Sequence, residues 1–413
     1  MRTIRSNFFN PRSPEHCDYL SDHILSWDNG KINNLEPFDP ARHTDYEDLR
    51  DKIVLPGLVD IHVHLSQYRM RGLYRPALLP WLQECVFPEE QLSSDPLYAR
   101  DLSNDFFKAL FQAGTTTAVI YTAPFAEACE TAFAAAESLG ARAIIGMTLM
   151  DRNSPGGLMQ TTDYALSRSI DLCERYHHRT ALLDYIFTPR FAPTCSEDLM
   201  CEIGRYAEQK SIRIQTHLSE NKDEIAWVQE LFGMPSYTAV YDKLGLLGSR
   251  TILAHCIHLD DTEISRLADY DCRIAHCPDS NFYLKSGEMD YQRLSDAGLK
   301  IALGSDVGAG TKLSMLYHAK MMNYRQSSLA IQPAELLYNL SLGSATALDM
   351  QDCIGSLDPG KEADLAIFDV FEGMQIGPDC LSRLCFFGDQ FKVHETIIRG
   401  RSVHSADNPN QSA

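Results

Sequence analysis

His62 and His64 stand two residues apart at the end of the run Pro56-Gly-Leu-Val-Asp-Ile-His-Val-His64. Residues i and i+2 of a β-strand share a face, so the two imidazoles can meet one cation. By itself such a pair carries little weight, since two histidines at this spacing also make a polar surface stripe or a satisfied core pair. The apolar approach through Leu58 and Val59 changes the balance, because inward histidines on a buried strand need a partner. Further along come His217, Glu220 three residues later, His255, His276-Cys277 and Asp306. His62, His64, His217 and Asp306 make a mixed nitrogen and oxygen donor set that suits Zn²⁺ or Fe²⁺. A metal in such a set brings the pKa of water toward neutrality, which is hydrolytic chemistry.

These residues form a site only if the chain brings them to one place. From Asp51 onward, short apolar, β-branched runs alternate with helical stretches. Strands are expected over 58–65, 116–121, 141–149, 180–187, 212–218, 251–257, 272–276 and 300–303. Helices are expected over 101–113 and 126–139, stopped by Gly114 and Gly140, and over 196–210, where Thr194 and Glu197 are spaced as a capping box. Others are expected over 236–247, 315–327 and 333–348. Eight strands alternating with helices predict an α/β fold, a closed (β/α)₈ TIM-like barrel, whose chemistry sits at the C-terminal strand ends. The residues named above fall at such ends, joined by Thr188-Pro-Arg-Phe191 after the fourth strand.

Before the barrel, 23–27 and 31–35 flank Asp28-Asn29-Gly30, a hairpin turn because Asn and Gly tolerate positive φ. After it, a Gly/Pro turn leads into an apolar strand ending at Phe368, with one more strand pattern at 396–399 and nothing apolar beyond. The expected organisation is a small β-sandwich lobe built from both chain ends, 1–54 and 355–404, around a barrel over 55–354, with a polar tail at 405–413.

With 413 residues, 44% hydrophobic and 23% charged, the chain has an ordinary globular balance, which excludes a disordered, collagenous or coiled-coil class. A formal net charge of −19 opposes binding to phosphate backbones and anionic membranes. No apolar run approaches the ~18 residues of a membrane span. Nucleic acid and membrane are therefore not expected as partners. The N-terminus has no apolar signal-peptide core, and the twelve cysteines are scattered with no C-x-x-C, so a reduced, cytoplasmic protein is expected.

The 56–64 run, taken with His217, His255 and Asp306, resembles the amidohydrolase superfamily, and Gly355-Ser-Leu-Asp-Pro-Gly-Lys-Glu-Ala-Asp-Leu365 is similar to that superfamily's return into its β lobe. Within it the likeness narrows to the guanine deaminases. It rests on His64-Leu-Ser-Gln-Tyr68, Leu79-Pro-Trp-Leu82 with Phe87-Pro88, Thr188-Pro-Arg-Phe191 with Cys195-Ser-Glu197, and Gln215-Thr-His-Leu-Ser-Glu-Asn221. Ala275-His-Cys-Pro-Asp-Ser-Asn281 and Gly304-Ser-Asp-Val307 with Ser314-Met-Leu316 add to it. Two-metal barrel hydrolases carry a modified lysine on strand four, and 185–191 has none, so one metal per chain is implied: Zn²⁺, with Fe²⁺ as the alternative. The His-x-Glu and Pro-Cys-x-x-Cys motifs of the other zinc-deaminase class are absent.

The resemblance implies hydrolytic deamination of guanine to xanthine and ammonia, in purine catabolism or salvage, by a homodimer acting on a small purine base. Asp306 would both ligate the metal and take the proton of water. Glu220 would protonate the ring nitrogen beside C2 and then serve the leaving amine. Its plainer role is a carboxylate at a helix start. His255 would orient the water or touch the substrate, unless it is a satisfied core histidine. Arg190 and Gln67 would read the polar edge of the base. Phe191 would stack on it, with Trp81 and Leu82 as an apolar wall, although a core role competes closely for these three. His276 and Cys277 are expected to support the site by packing, and His258 and the His177-His178 pair to be solvated surface. A deaminase of another aminopurine or a pterin, such as 8-oxoguanine or isoguanine, stays open, as does a non-catalytic scaffold.

Overall fold

The computed structural model describes residues 1–407, and the rest of the expected tail, 408–413, lies outside the described residues. Eight parallel strands form one sheet: Leu58–His64, Thr115–Thr122, Arg142–Leu149, Leu183–Pro189, Arg213–Leu218, Thr251–His255, Arg273–His276 and Lys300–Leu303. It closes just past the last strand, where Asp306 N donates to His62 O and His64 N donates to Val307 O, both at 2.8 Å. The seam of the barrel therefore sets Asp306 beside the histidines of the first strand. The expected (β/α)₈ architecture is borne out.

The first strand carries a register shift between Asp60 and Val63. Such a bulge moves the side chains that follow to the other face. Val59 and Ile61 pack with Val119, Ile144, Ile186 and Ile252 and with Ala345 and Ala347 of helix Leu342–Ala347. His62 and His64 also converge, on the other metal candidates, although a regular strand would have turned them away from Ile61.

Local chemistry explains where the helices depart from expectation. Pro96–Gln112 starts earlier than residue 101 because the Asp95 side chain caps Leu97 N. Glu197–Lys210 is capped by Ser196 on Leu199 N, not by a box from Thr194, whose hydroxyl bonds Phe191 O at 3.2 Å instead. The 333–348 stretch breaks at Ser341 into Pro333–Leu340 and Leu342–Ala347. Tyr237–Lys243 occupies only part of 236–247, and a helix not foreseen, Lys222–Phe232, precedes it with Asn221 and Glu224 in a capping box.

The chain ends form a second sheet of seven strands, in the order Arg401–Ser405, Val393–Ile398, Leu365–Asp369, Glu47–Pro56, Arg2–Ser13, His16–Asp28 and Lys31–Pro37. Asn29 and Gly30 take φ of 49° and 81° in the hairpin turn, the two positive values a type I′ turn requires. Bulges in Arg2–Ser13 bend this single sheet around one core that includes Ile4, Phe8, Leu25, Trp27, Ile367 and Ile397. Its last strand, Arg401–Ser405, was not expected, because Val403 is the one apolar residue in it. Arg142 of the third barrel strand joins lobe to barrel, pairing with Asp364 at 3.0 Å and Glu362 at 2.5 Å. Among the described residues no helix is long and apolar enough to cross a membrane, and every cysteine is free.

Candidate active site

The C-terminal strand ends surround a pocket whose empty space, counted out into open solvent, is about 400 Å³. Gln67, Trp81, Leu82, Arg190, Phe191, Glu220, His255 and Asp306, the residues expected to touch or act on substrate, all line it, together with His64 and His217. His62 is fully buried outside that lining, its ring centroid 4.9 Å from that of His217.

One donor atom each from His62, His64, His217 and Asp306 lies within 4.8 Å of the others. Asp306 Oδ1 is 3.3 Å from His62 Nε2 and 3.2 Å from His64 Nε2. His217 hydrogen-bonds through Nδ1 to Arg190 O at 2.7 Å, which leaves its Nε2 lone pair facing His64 Nε2 at 3.3 Å. Two imidazole nitrogens turned toward each other, and the Nε2 of buried His62, which has no hydrogen-bond partner, are satisfied together by one cation. Burial draws His64 down to about 4, so it stands neutral, as a ligand must. Burial opposes ionisation of Asp306, but the His62 and His64 imidazoles outweigh it and hold the carboxylate well below its usual range. The donor set fits a divalent metal ion.

His255 and Asp306 both sit in the left-handed region, with φ of 73° and 49°. That conformation costs energy for a side chain such as histidine, and here it turns both groups into the pocket. His255 bonds Asn281 Oδ1 through Nδ1 at 2.8 Å, leaving Nε2 3.5 Å from Glu220 Oε2 and 3.8 Å from Asp306 Oδ2. Glu220 accepts from the Ser286 hydroxyl at 2.9 Å. Burial, reinforced by the charge of Asp306, pushes Glu220 up to about 8. A carboxyl group that is protonated at neutral pH can act as an acid.

Sequence reasoning missed two buried carboxylates. Glu224 lines the pocket and accepts from the backbone of Glu220 and Asn221 at 3.1 Å, and burial pushes it up to about 7. Its sign in the sequence is the Asn-x-x-Glu box at 221–224. Glu90 is fully buried and pairs with Arg190 Nη1 through Oε1 at 3.0 Å and Oε2 at 2.8 Å. Its sign is indirect: an arginine expected inside a pocket needs a counter-charge. His258 is also corrected, since it is half-buried rather than solvated, with Nε2 bonded to Ser286 O at 2.8 Å and its backbone N–H to Ser219 O. It therefore anchors the loop that carries Ser286. His178 is exposed as expected, but His177 is half-buried; both face Asp184, at the opposite end of strand four from the pocket. His276 is buried with neither ring nitrogen hydrogen-bonded among the described residues.

A closed parallel barrel with three histidines and an aspartate at its carboxyl end defines a class, and the comparison with known families agrees: the chain belongs to the amidohydrolase family, whose model matches residues 53–403. Within that family it is 37% identical over 409 residues to the guanine deaminase of Escherichia coli (strain K12), covering 94% of this chain and 92% of that one. The solved E. coli guanine deaminase superposes with a TM-score of 0.94 at 33% identity, over 98% of this chain and 100% of that one. A guanine deaminase from C. acetobutylicum with bound guanine in its active site gives a TM-score of 0.91 at 27% identity, with the same coverage.

Proposed function

We propose that this protein hydrolyses the exocyclic amine of guanine, converting guanine and water to xanthine and ammonia. The observation that carries the reading is a single pocket, bordered by the metal donor set, in which Glu220, pushed up to about 8, and the buried guanidinium of Arg190 meet. The likeness to a guanine deaminase solved with guanine in its active site supports it.

His62, His64, His217 and Asp306 would hold one zinc ion, with Fe²⁺ the alternative, and that ion supplies a water activated near neutral pH. Asp306, kept ionised, takes the water's proton on its carboxylate. His255, fixed by Asn281, aims Nε2 at the attacking oxygen. Glu220 donates its proton to the ring nitrogen beside C2; its carboxylate then takes the hydroxyl proton of the C2 adduct as the C2 carbonyl forms and passes it to the departing amine, and the proton held on Asp306 returns to Glu220 to reset the site. Arg190 donates to the carbonyl at C6 and Gln67 takes the adjoining N–H, while Phe191, Trp81 and Leu82 close over the flat base and exclude water. The reading extends to a barrel over 55–354, a cytoplasmic location and a homodimer, the last tested by sedimentation of the purified protein. Ammonia release from guanine, 8-oxoguanine, isoguanine and pterin tests the substrate. Guanine is expected to give the highest kcat/KM, and a preference for any other member would replace this assignment.

A further inference from the structure

Helix Phe87–Leu92 lies in the long connection after the first barrel strand and turns two residues toward Arg190. Phe87 and Glu90, spaced i and i+3, share one helix face. The Arg190 guanidinium carbon lies 5.4 Å from the Phe87 ring centroid. Both oxygens of Glu90 take Arg190 Nη1, and Glu90 Oε1 also accepts from Gln67 Nε2 at 3.0 Å and from Ser66 Oγ at 3.3 Å. On its other side Gln67 Oε1 accepts from Gly308 N at 3.4 Å. A carboxylate only accepts and a peptide N–H only donates, so the Gln67 amide has a single orientation that satisfies both neighbours. Neighbouring Glu89 does something different: it is half-buried and accepts from Tyr98 Oη at 2.5 Å.

We infer that Glu90 is a positioning residue for substrate choice: one buried carboxylate holds the guanidinium of Arg190 and fixes the amide of Gln67, so that the pocket offers a donor group beside an acceptor. That pattern matches a carbonyl next to a ring N–H. It is the C6/N1 edge of guanine, and 2-aminopurine lacks it. The inference rests on the functional reading given above. Glu90 touches neither the base nor the metal donors and acts through Arg190 and Gln67.

The test compares kcat/KM for guanine and 2-aminopurine in the metal-loaded wild type, Glu90→Gln, Arg190→Met and the double variant. An amide at residue 90 removes the counter-charge of Arg190 and can pair with either end of the Gln67 amide, so it frees both readers without changing shape. In Glu90→Gln, guanine turnover is expected to fall on the order of 10²-fold, mainly through KM, with 2-aminopurine and metal content little changed. In the Arg190→Met background the same substitution is expected to cost guanine less than about threefold more, because the two residues act as one unit. Arg190→Met supplies its own reference if Glu90→Gln folds poorly, since the double variant buries no unpaired guanidinium. A wild type that discriminates between the substrates while Glu90→Gln keeps the same ratio overturns the inference alone, and so does full additivity in the double variant. A wild type that does not deaminate guanine overturns the functional reading and the inference with it.

Discussion

Replacing Glu220 with glutamine removes one proton from the site and little else. The side chain is 5% exposed, and its Oε1 can still accept from Ser286 as an amide oxygen, so the pocket keeps its shape. What is lost is the acid. A positioned general acid supplies about 10²–10⁴-fold in rate, or roughly 3–5 kcal/mol of barrier at ~1.4 kcal/mol per decade. Glu220→Gln is therefore expected to lower kcat for guanine by that factor while metal content and melting temperature stay near wild type. The sign of the pH dependence follows from the same burial. A carboxyl pushed up to about 8 stays protonated at neutral pH and ionises above it, so wild-type kcat/KM falls as pH rises through about 8. The assay is ammonia release over a pH series, with metal analysis on the same preparations. Turnover within about threefold of wild type would make Glu220 a structural carboxylate and refute the argument. Loss of metal in the variant would make it a ligand and refute the assigned role.

Other expectations concern the remaining parts of the site and the frame that holds it. His62→Ala and His217→Ala should each lose metal and activity together, seen by metal analysis beside the ammonia assay. Arg190→Met should lower kcat/KM for guanine by about 10²-fold and 2-aminopurine much less, at unchanged metal content; equal losses for both would leave Arg190 a structural role. Arg142→Met leaves Asp364, whose side chain is 2% exposed, without its cation, so unfolding by urea should show a loss of about 3–5 kcal/mol.

The convergence of the metal candidates was legible because spacing and context agree: His62 and His64 share a strand flanked by apolar residues, and the remaining candidates fall at later strand ends. The bulge that turns these histidines inward next to Ile61 was not, since register depends on the partner strand and not on the strand itself. Glu90 was hidden for a related reason. After Pro88, Glu89-Glu90 has the composition of a solvated first helical turn, and only the docking of that helix onto strand four shows which of the two is buried. His258 looked like surface because its partners, Ser219 O and Ser286 O, are backbone atoms that leave no trace in side-chain type. Ser196 took the cap assigned to Thr194 because both stand near the helix start and the loop hydrogen bond of Thr194 is a tertiary choice.

The central claim is that one divalent metal, held by three histidines and Asp306, serves the deamination of guanine in this pocket. The most direct measurement is to strip the metal with a chelator, titrate Zn²⁺ back, and record ammonia release from guanine against metal bound per chain. The account predicts an inactive stripped protein and a linear return of activity that ends at one equivalent. Full activity without metal, or a return that requires two equivalents, would contradict it.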